Sequence, residues 1–274
     1  MEDMNRKNLL VLTTAVLVGL IPFLFWRATW FGRRLNEVEI DGYLSGDKPR
    51  LAQHALIQVS ERIVSGGVNP GDAARWYPRI TRLAQHQLPE IRRTAAWVMG
   101  QDNTSAEFHQ ALLNLLQDPD PLVRRNAALS LVRFGDLNSR RELLSMLRPY
   151  QIQSPRAGRI SLRLEEQEAV NPGTLLARLE IDREEVIEIR SPLPGFLHRR
   201  LVAEGQNVAA GTQILVLSPA SDQVWEALRA LFLVGGSEEL PEVERIASAS
   251  GEEGLNERIR RQAELTARAI RSRL

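Results

Sequence analysis

The sequence of 274 residues contains no cysteine. Disulfide bonds, thiolate nucleophiles, zinc–thiolate sites and iron–sulfur clusters are therefore excluded. Lysine is nearly as scarce, because Lys7 and Lys48 are the only two and none follows residue 48. Arginine carries almost all of the positive charge, which suits bidentate pairing with carboxylates, although a GC-rich genome gives the same bias.

Signals of catalysis are also missing. The four histidines form no His-Glu dipeptide and no HExxH motif, and the chain has neither a Gly-x-Ser-x-Gly elbow nor a phosphate-binding glycine loop. We therefore predict no catalytic residue, no metal ligand, no cofactor and no enzymatic activity. The 35 basic residues are balanced by 34 acidic ones, so nucleic acid is not indicated as a partner. Because no catalytic motif is present, no small-molecule substrate is indicated either.

An uncharged apolar run extends from Asn8 to Trp26. At about 1.5 Å per residue, a helix of this length nearly spans a hydrocarbon core of about 30 Å. We predict a short tail and a single transmembrane anchor within residues 1–34, with a cleaved signal peptide as the alternative. This anchor implies a single-pass protein of the bacterial inner membrane. The flanking charges lean toward a cytoplasmic body, whereas the domain resemblance given below favours a periplasmic one.

Residues 35–149 show helical periodicity and an internal repeat. The segment Pro89 to Ala96 (PEIRRTAA) matches Pro121 to Ala128 (PLVRRNAA), with an arginine pair and two alanines in each copy. This pattern resembles short bacterial HEAT repeats, in which helix pairs stack and bury one face against the next pair. The resemblance implies that Arg92 and Arg124 pair with acidic residues of a neighbouring repeat such as Asp118.

The sequence of the C-terminal residues 221–274 predicts further helices. The segment Ile259 to Thr266 echoes Val123 to Ser130, so the helical array can resume after an interruption. In one hypothesis, the intervening domain is inserted into a single array. In the other, the last helices form an independent hairpin that packs on that domain.

The intervening residues 150–220 contain the same pattern twice. The segment Ser154 to Gly158 (SPRAG) returns later in the chain as Ser191 to Gly195 (SPLPG). The segment Val170 to Thr174 (VNPGT) likewise returns as Val208 to Thr212 (VAAGT). Alternating apolar residues and glycine turns predict short strands in both copies.

This duplication resembles the barrel-sandwich hybrid of biotinyl/lipoyl domains and the related domain of membrane-fusion (periplasmic adaptor) proteins of bacterial exporters. Carrier members of that family attach their cofactor to a lysine at the turn between the halves. Here Arg183 or Glu184 occupies that position, and neither can form the amide, so carrier function is excluded. Adaptors carry a long helical hairpin between the halves, and this sequence has only a few residues there.

Aromatic pairs offer two further candidates. Trp76 and Tyr77 are predicted partner-binding residues, because such side chains dominate interaction hot spots, with core packing as the alternative. Arg183 and Glu184 join them as candidates at an exposed turn. Trp97 aligns with Leu129 of the next repeat and is expected to face the core of the array.

The predicted fold class is α+β multidomain: a transmembrane helix, HEAT-like repeats, a lipoyl-like β barrel-sandwich and C-terminal helices. The predicted function is a non-enzymatic, membrane-anchored scaffold or accessory subunit that binds other subunits of a membrane complex. A periplasmic adaptor of an export system is the first alternative. An enzyme or carrier with an unrecognised cofactor is the second.

Overall fold

The computed structural model describes residues 18, 20, 33–65, 73–182, 185–249 and 257–274. The chain divides into two compact units, residues 1–58 and 59–274. In the first unit, helix α1 (Glu37–Ser45) begins at a capping box, because Asn36 and Glu39 each accept a hydrogen bond from the other's backbone N–H. The next helix is α2 (Pro49–Ser65).

The second unit is mostly helical on either side of a β-module. Its helices are α3 (Tyr77–Leu83), α4 (Pro89–Met99), α5 (Ala106–Leu115), α6 (Pro121–Val132), α7 (Arg140–Met146), α8 (Ser221–Val234), α9 (Leu240–Ser248) and α10 (Glu257–Arg271). The helix starts follow the sequence signals: α4 and α6 have proline in the first turn, and Asp120 caps α6 through the N–H groups of Leu122 and Val123.

These helices form four consecutive pairs, α3–α4, α5–α6, α7–α8 and α9–α10. The second helices of the pairs also pack on one another in order, α4 on α6, α6 on α8 and α8 on α10. Buried alanines such as Ala95, Ala96, Ala127 and Ala128 allow this close approach. The helices are therefore one array of repeats in which each pair buries a face against the next.

The β-module lies between the two helices of the third pair. Its strands are β1 (Tyr150–Gln153), β2 (Gly158–Leu162), β3 (Ala169–Val170), β4 (Leu175–Glu180), β5 (Val186–Arg190), β6 (Gly195–Arg200), β7 (Asn207–Val208) and β8 (Gln213–Pro219). They form two four-stranded antiparallel sheets, ordered β1-β8-β6-β3 and β5-β4-β2-β7. Exchanging the first four strands for the last four converts one sheet order into the other, so the duplicated sequence forms two equivalent halves.

The equivalence extends to single hydrogen bonds. The N–H of Ser154 donates to the carbonyl of Thr212 and the N–H of Ser191 donates to that of Thr174, both at 2.8 Å. Each serine hydroxyl also donates to the carbonyl two residues on, at Arg156 or Leu193. Each Ser-Pro-x-x-Gly segment thus fastens its own half to the turn of the other half.

The glycine that closes each segment is required by packing. A Cβ at Gly158 lies 2.6 Å from the carbonyl oxygen of Glu180, and a Cβ at Gly195 lies 2.1 Å from that of Ser218. Both distances are far inside van der Waals contact. The duplicated glycines therefore let neighbouring backbone approach the start of β2 and of β6.

The helices before and after the β-module share one core. Ala128, Leu143 and Met146 before it belong to the same buried cluster as Leu228 and Ala263 after it. Polar contacts join the two sides as well. Arg140 donates to the carbonyl of Val234, and Arg148 pairs with Glu242 at 3.3 Å.

These contacts favour the insertion hypothesis over an independent C-terminal hairpin. The β-module interrupts a repeat array that resumes with α8. Its own core is separate and consists of inward-facing residues such as Ile160, Leu179, Leu197 and Ile214.

The predicted fold class needs one correction. No helix among the described residues is long and apolar enough to cross a membrane. The longest of them, α2, has 17 residues and carries Arg50, Glu61 and Arg62. The expected anchor, Asn8 to Trp26, lies outside the described residues except for Val18 and Leu20.

Over the part of the chain that it describes, the structure is therefore a mixture of helical repeats and two antiparallel sheets, without the predicted N-terminal transmembrane helix. The predicted localisation, a single-pass protein of the bacterial inner membrane, depended on that helix and is corrected with it.

Candidate functional site

Trp76 and Tyr77 lie in the interior of the second unit. Trp76 is 1% exposed, and the guanidinium groups of Arg62 and Arg75 lie 5.3 and 5.1 Å from its ring centroid. The Tyr77 ring contacts that of Phe108 at 4.1 Å, and its hydroxyl donates to Asp102 at 2.6 Å. Burial, reinforced by this hydrogen bond, raises the pKa of the Tyr77 phenol. Neither side chain is available as an exposed anchor in this arrangement.

Arg183 and Glu184 lie outside the described residues. Their flanks close the β4–β5 hairpin, since the N–H of Ile181 donates to the carbonyl of Glu185 and the N–H of Glu185 donates to Asp182. The Glu185 carboxylate also pairs with Arg156 at 2.6 Å. This ion pair ties the hairpin between the halves to the Ser-Pro-x-x-Gly segment of the first half.

Arg92 and Arg124 have the structural role that the repeat pattern implies. Arg92 binds Asp118 of the next repeat through two parallel hydrogen bonds of 2.6 and 2.8 Å, and both side chains are largely buried. Arg124 binds Glu142 through a single hydrogen bond of 3.2 Å. Each guanidinium also donates to two carbonyls of the loop before its own helix. The prediction of a structural pairing is confirmed.

Trp97 is where the sequence interpretation fails. It is 42% exposed on the outer face of α4, not in the core. The buried residues of that helix are Ile91, Ala95, Ala96, Val98 and Met99. At about 100° per residue, Trp97 points roughly 200° away from Ala95. Its partner in the alignment, Leu129, is itself only partly buried.

The outer face of the second helices is a surface that the repeats present in series. It carries Trp97 on α4, Arg229 on α8 and Leu265 on α10, which are exposed, and Arg133, an exposed residue directly after the end of α6. Arg133 donates to the side chain of Gln101 at 2.9 Å, which links α6 to the end of α4. Aromatic and arginine side chains in this mixture are typical of protein-binding surfaces.

Sequence reasoning missed an aromatic residue on this face. Trp225 lies on α8, and the guanidinium group of Arg258 from α10 stacks 3.9 Å from its ring centroid. A sequence signal was available, because Trp225 lies three residues after Asp222 and four residues before Arg229. Residues at these spacings share one face of a helix, and here both neighbours are charged. A tryptophan on the polar side of an amphipathic helix is unusual for core packing.

Titratable side chains of the array form contacts that stabilise neighbouring elements. His109 contacts Asp136 at 2.6 Å and stacks on Phe134, and Asp136 caps the 3-10 helix Leu137–Ser139 through the N–H of Asn138. Burial alone would raise the pKa of Asp136, but the hydrogen bonds from Asn138 and His109 outweigh it and lower the pKa. In the part of the chain that the structure describes, no group of three metal-ligating side chains converges.

Comparison with known proteins supports the helical part of this description. Residues 78–153 match the family model for HEAT repeats. Among solved structures, the chain is similar to a single-chain, multi-domain long-chain acyl-CoA carboxylase, with 24% sequence identity and a TM-score of 0.25. That likeness covers 34% of this chain and only 9% of the carboxylase.

No curated protein matches the chain. The matches give no support to an export adaptor or to a membrane-anchored subunit. HEAT repeats generally mediate protein–protein interaction, so the match over residues 78–153 suggests a protein-interaction scaffold.

Proposed function

We propose that this protein is a non-enzymatic scaffold that holds partner proteins together, one through the outer face of its repeats and another through its β-module. The proposal includes the two halves of the β-module acting as an unmodified lipoyl-like domain. The observation that carries it is the insertion of the β-module inside a helix pair whose core continues undisturbed. Two binding devices are thereby joined by short connections.

The β-module supports a binding role through its surface. Phe196 on β6 and Val186 on β5 are both exposed, although apolar positions of the opposite face form the module's core. No lysine occurs after residue 48, so the module has no side chain for an amide-linked biotin or lipoate. A role in recognition therefore suits these residues better than cofactor transfer.

The proposed division of labour follows the predicted boundaries. Residues 35–149 and 221–274 supply the helical surface, and residues 150–220 supply the β-module. An accessory subunit of a larger complex is the form of scaffold that fits best, because a repeat array presents surface without a reaction site.

The test is quantitative capture of partners by the full chain from its native extract, followed by chemical cross-linking and mass spectrometry. We expect stoichiometric partners that cross-link to the repeats or to the β-module. Two matched surface variants, Trp97→Glu and Phe196→Glu, each replace a 42% exposed side chain and should leave folding unchanged. Each should reduce the capture of a different partner.

Two outcomes contradict the proposal. One is a chain that shows no stoichiometric partner, or that keeps every partner in both variants. The other is an intact mass that reveals a covalent cofactor, since that result supports carrier chemistry.

A further inference from the structure

A groove between α8 and α10 stands out from the rest of the outer face. It has a volume of about 490 Å³ and is lined by Trp225, Glu257, Arg258, Arg261, Gln262 and Leu265. Leu265 is 40% exposed and forms an apolar ledge beside the arginines. The groove therefore combines an aromatic wall, an apolar ledge and two guanidinium groups.

The guanidinium group of Arg258 is positioned by its aromatic neighbour. It lies 3.9 Å from the centroid of the Trp225 ring, which is close stacking contact. Stacking occupies the flat face of a guanidinium and leaves its N–H groups available at the edge. Such an edge donates two parallel hydrogen bonds to a carboxylate.

The described residues supply little to satisfy these donors. Across residues 33–65, 73–182, 185–249 and 257–274, no carboxylate forms an ion pair with Arg258 or Arg261. By contrast, Arg271 on the same helix pairs with Glu244. The acid that lines the groove, Glu257, lies in the first turn of α10, where a carboxylate complements the helix dipole.

Resting on the proposed scaffold function, we propose that this groove binds an acidic peptide segment of a partner protein. The segment would place a carboxylate on Arg258 and another on Arg261, with an apolar side chain against Trp225 and Leu265. A peptide fits better than nucleic acid, because the chain has a net charge of only +1 and Glu257 opposes a continuous run of phosphates.

The test measures fluorescence anisotropy of a short labelled peptide of alternating glutamate and leucine against the full chain. We expect saturable binding that weakens with added salt. The double variant Arg258→Glu, Arg261→Glu should weaken it about tenfold, because each reversal removes a charge-assisted contact and adds repulsion. Trp225→Leu should weaken it less, by removing the stack that orients Arg258.

The matched control is Arg199→Glu, which reverses an exposed arginine on β6 outside the groove. It should bind the peptide like the unaltered chain, and circular dichroism should show all variants equally folded. The proposal is overturned if the acidic peptide does not bind, or if the groove double variant binds it as well as the control does. It is also overturned if a lysine-containing peptide or a single-stranded oligonucleotide binds equally tightly.

Failure here and failure of the scaffold function are separable. A chain whose native partners are captured equally by the groove variant keeps the scaffold function and loses only this site. A chain that captures no partner, yet binds the acidic peptide through the arginines, keeps the site and loses the scaffold function.

Discussion

Arg125 offers the sharpest test of how this array is stabilised. Its side chain on α6 is 3% exposed, and burial lowers the pKa of its guanidinium group. The nearest carboxylate oxygen, on Glu142, is 4.0 Å from Nε, and Nε has no hydrogen-bond partner among the described residues. A terminal nitrogen reaches the side-chain oxygen of Gln223 at 3.4 Å, which is a long contact. The charge is therefore buried with incomplete compensation.

We expect Arg125→Met to raise the free energy of unfolding by about 1–2 kcal/mol. An apolar side chain of similar length avoids the desolvation of the cation, and replacing buried ion pairs in this way commonly gains about 1–4 kcal/mol. The lower part of that range applies here because the contact with Gln223 is lost. Glu142 is not left unpaired, since Arg124 already binds it at 3.2 Å.

The measurement is urea unfolding of the full chain followed by far-ultraviolet circular dichroism. Arg125→Ala is the matched control, because it also removes the charge but leaves a cavity, and it should lose about 2–3 kcal/mol. The reasoning is refuted if Arg125→Met unfolds at a lower urea concentration than the unaltered chain. That result would mean that the guanidinium group stabilises the contact between α6 and α8 by more than its desolvation costs.

Three further predictions concern the repeats and the β-module. Asp118→Asn should cost about 3 kcal/mol in urea unfolding, because it breaks a largely buried bidentate ion pair. Gly195→Ala should lower the temperature at which the β-module unfolds, since the added Cβ would lie 2.1 Å from a backbone oxygen. Gly135→Ala, at a residue with φ +69° and no contact within 4 Å, should lower the free energy of unfolding by only about 1 kcal/mol. Asp136 has a lowered pKa because the hydrogen bonds from Asn138 and from its histidine partner outweigh burial. The stabilisation of the folded state by this carboxylate is therefore fully present above the unfolded pKa of about 4, and it is lost as the pH falls through the lower folded pKa. Thermal unfolding of Asp136→Asn should accordingly depend less on pH in that acidic window, and an unchanged slope would contradict this.

The repeats were predictable because their contacts are periodic in sequence. The alignment of the two copies places Arg92 and Arg124 at equivalent helix positions, and the structure gives both the same loop carbonyls as acceptors. The acid that completes the pair does not follow the alignment. Asp118 is replaced at the next repeat by Glu142, because the position equivalent to Asp118 is Tyr150, which begins strand β1.

The fold of the β-module was equally predictable, since its duplicated segments form equivalent hydrogen bonds between the two halves. Two of its turn glycines with positive φ, Gly173 at +88° and Gly211 at +79°, occupy the same place in the repeated segments Val170 to Thr174 and Val208 to Thr212. Such positions tolerate few other residues. Sequence alone therefore indicated two equivalent halves.

Burial of individual aromatic residues was not predictable from alignment. Trp97 and Leu129 occupy equivalent positions, but Trp97 is exposed whereas Leu129 is partly buried against the core of the array. The reverse holds for Trp76, which was predicted as a partner-binding residue with core packing as the alternative. It is buried because α3 begins directly after it and places its ring beside Arg62 and Arg75.

The insertion depends on contacts between residues far apart in sequence, which no local pattern encodes. The first and last strands of the β-module are direct neighbours, with Tyr150 opposite Leu217. Its two ends therefore lie close together, as the ends of a helix–helix turn do, so the module can replace a turn without separating α7 from α8. Because both connections are short, a protein bound to the β-module is held beside one bound to the helices. A scaffold gains from that arrangement through effective concentration, whereas a carrier domain that must swing between sites would need a longer tether.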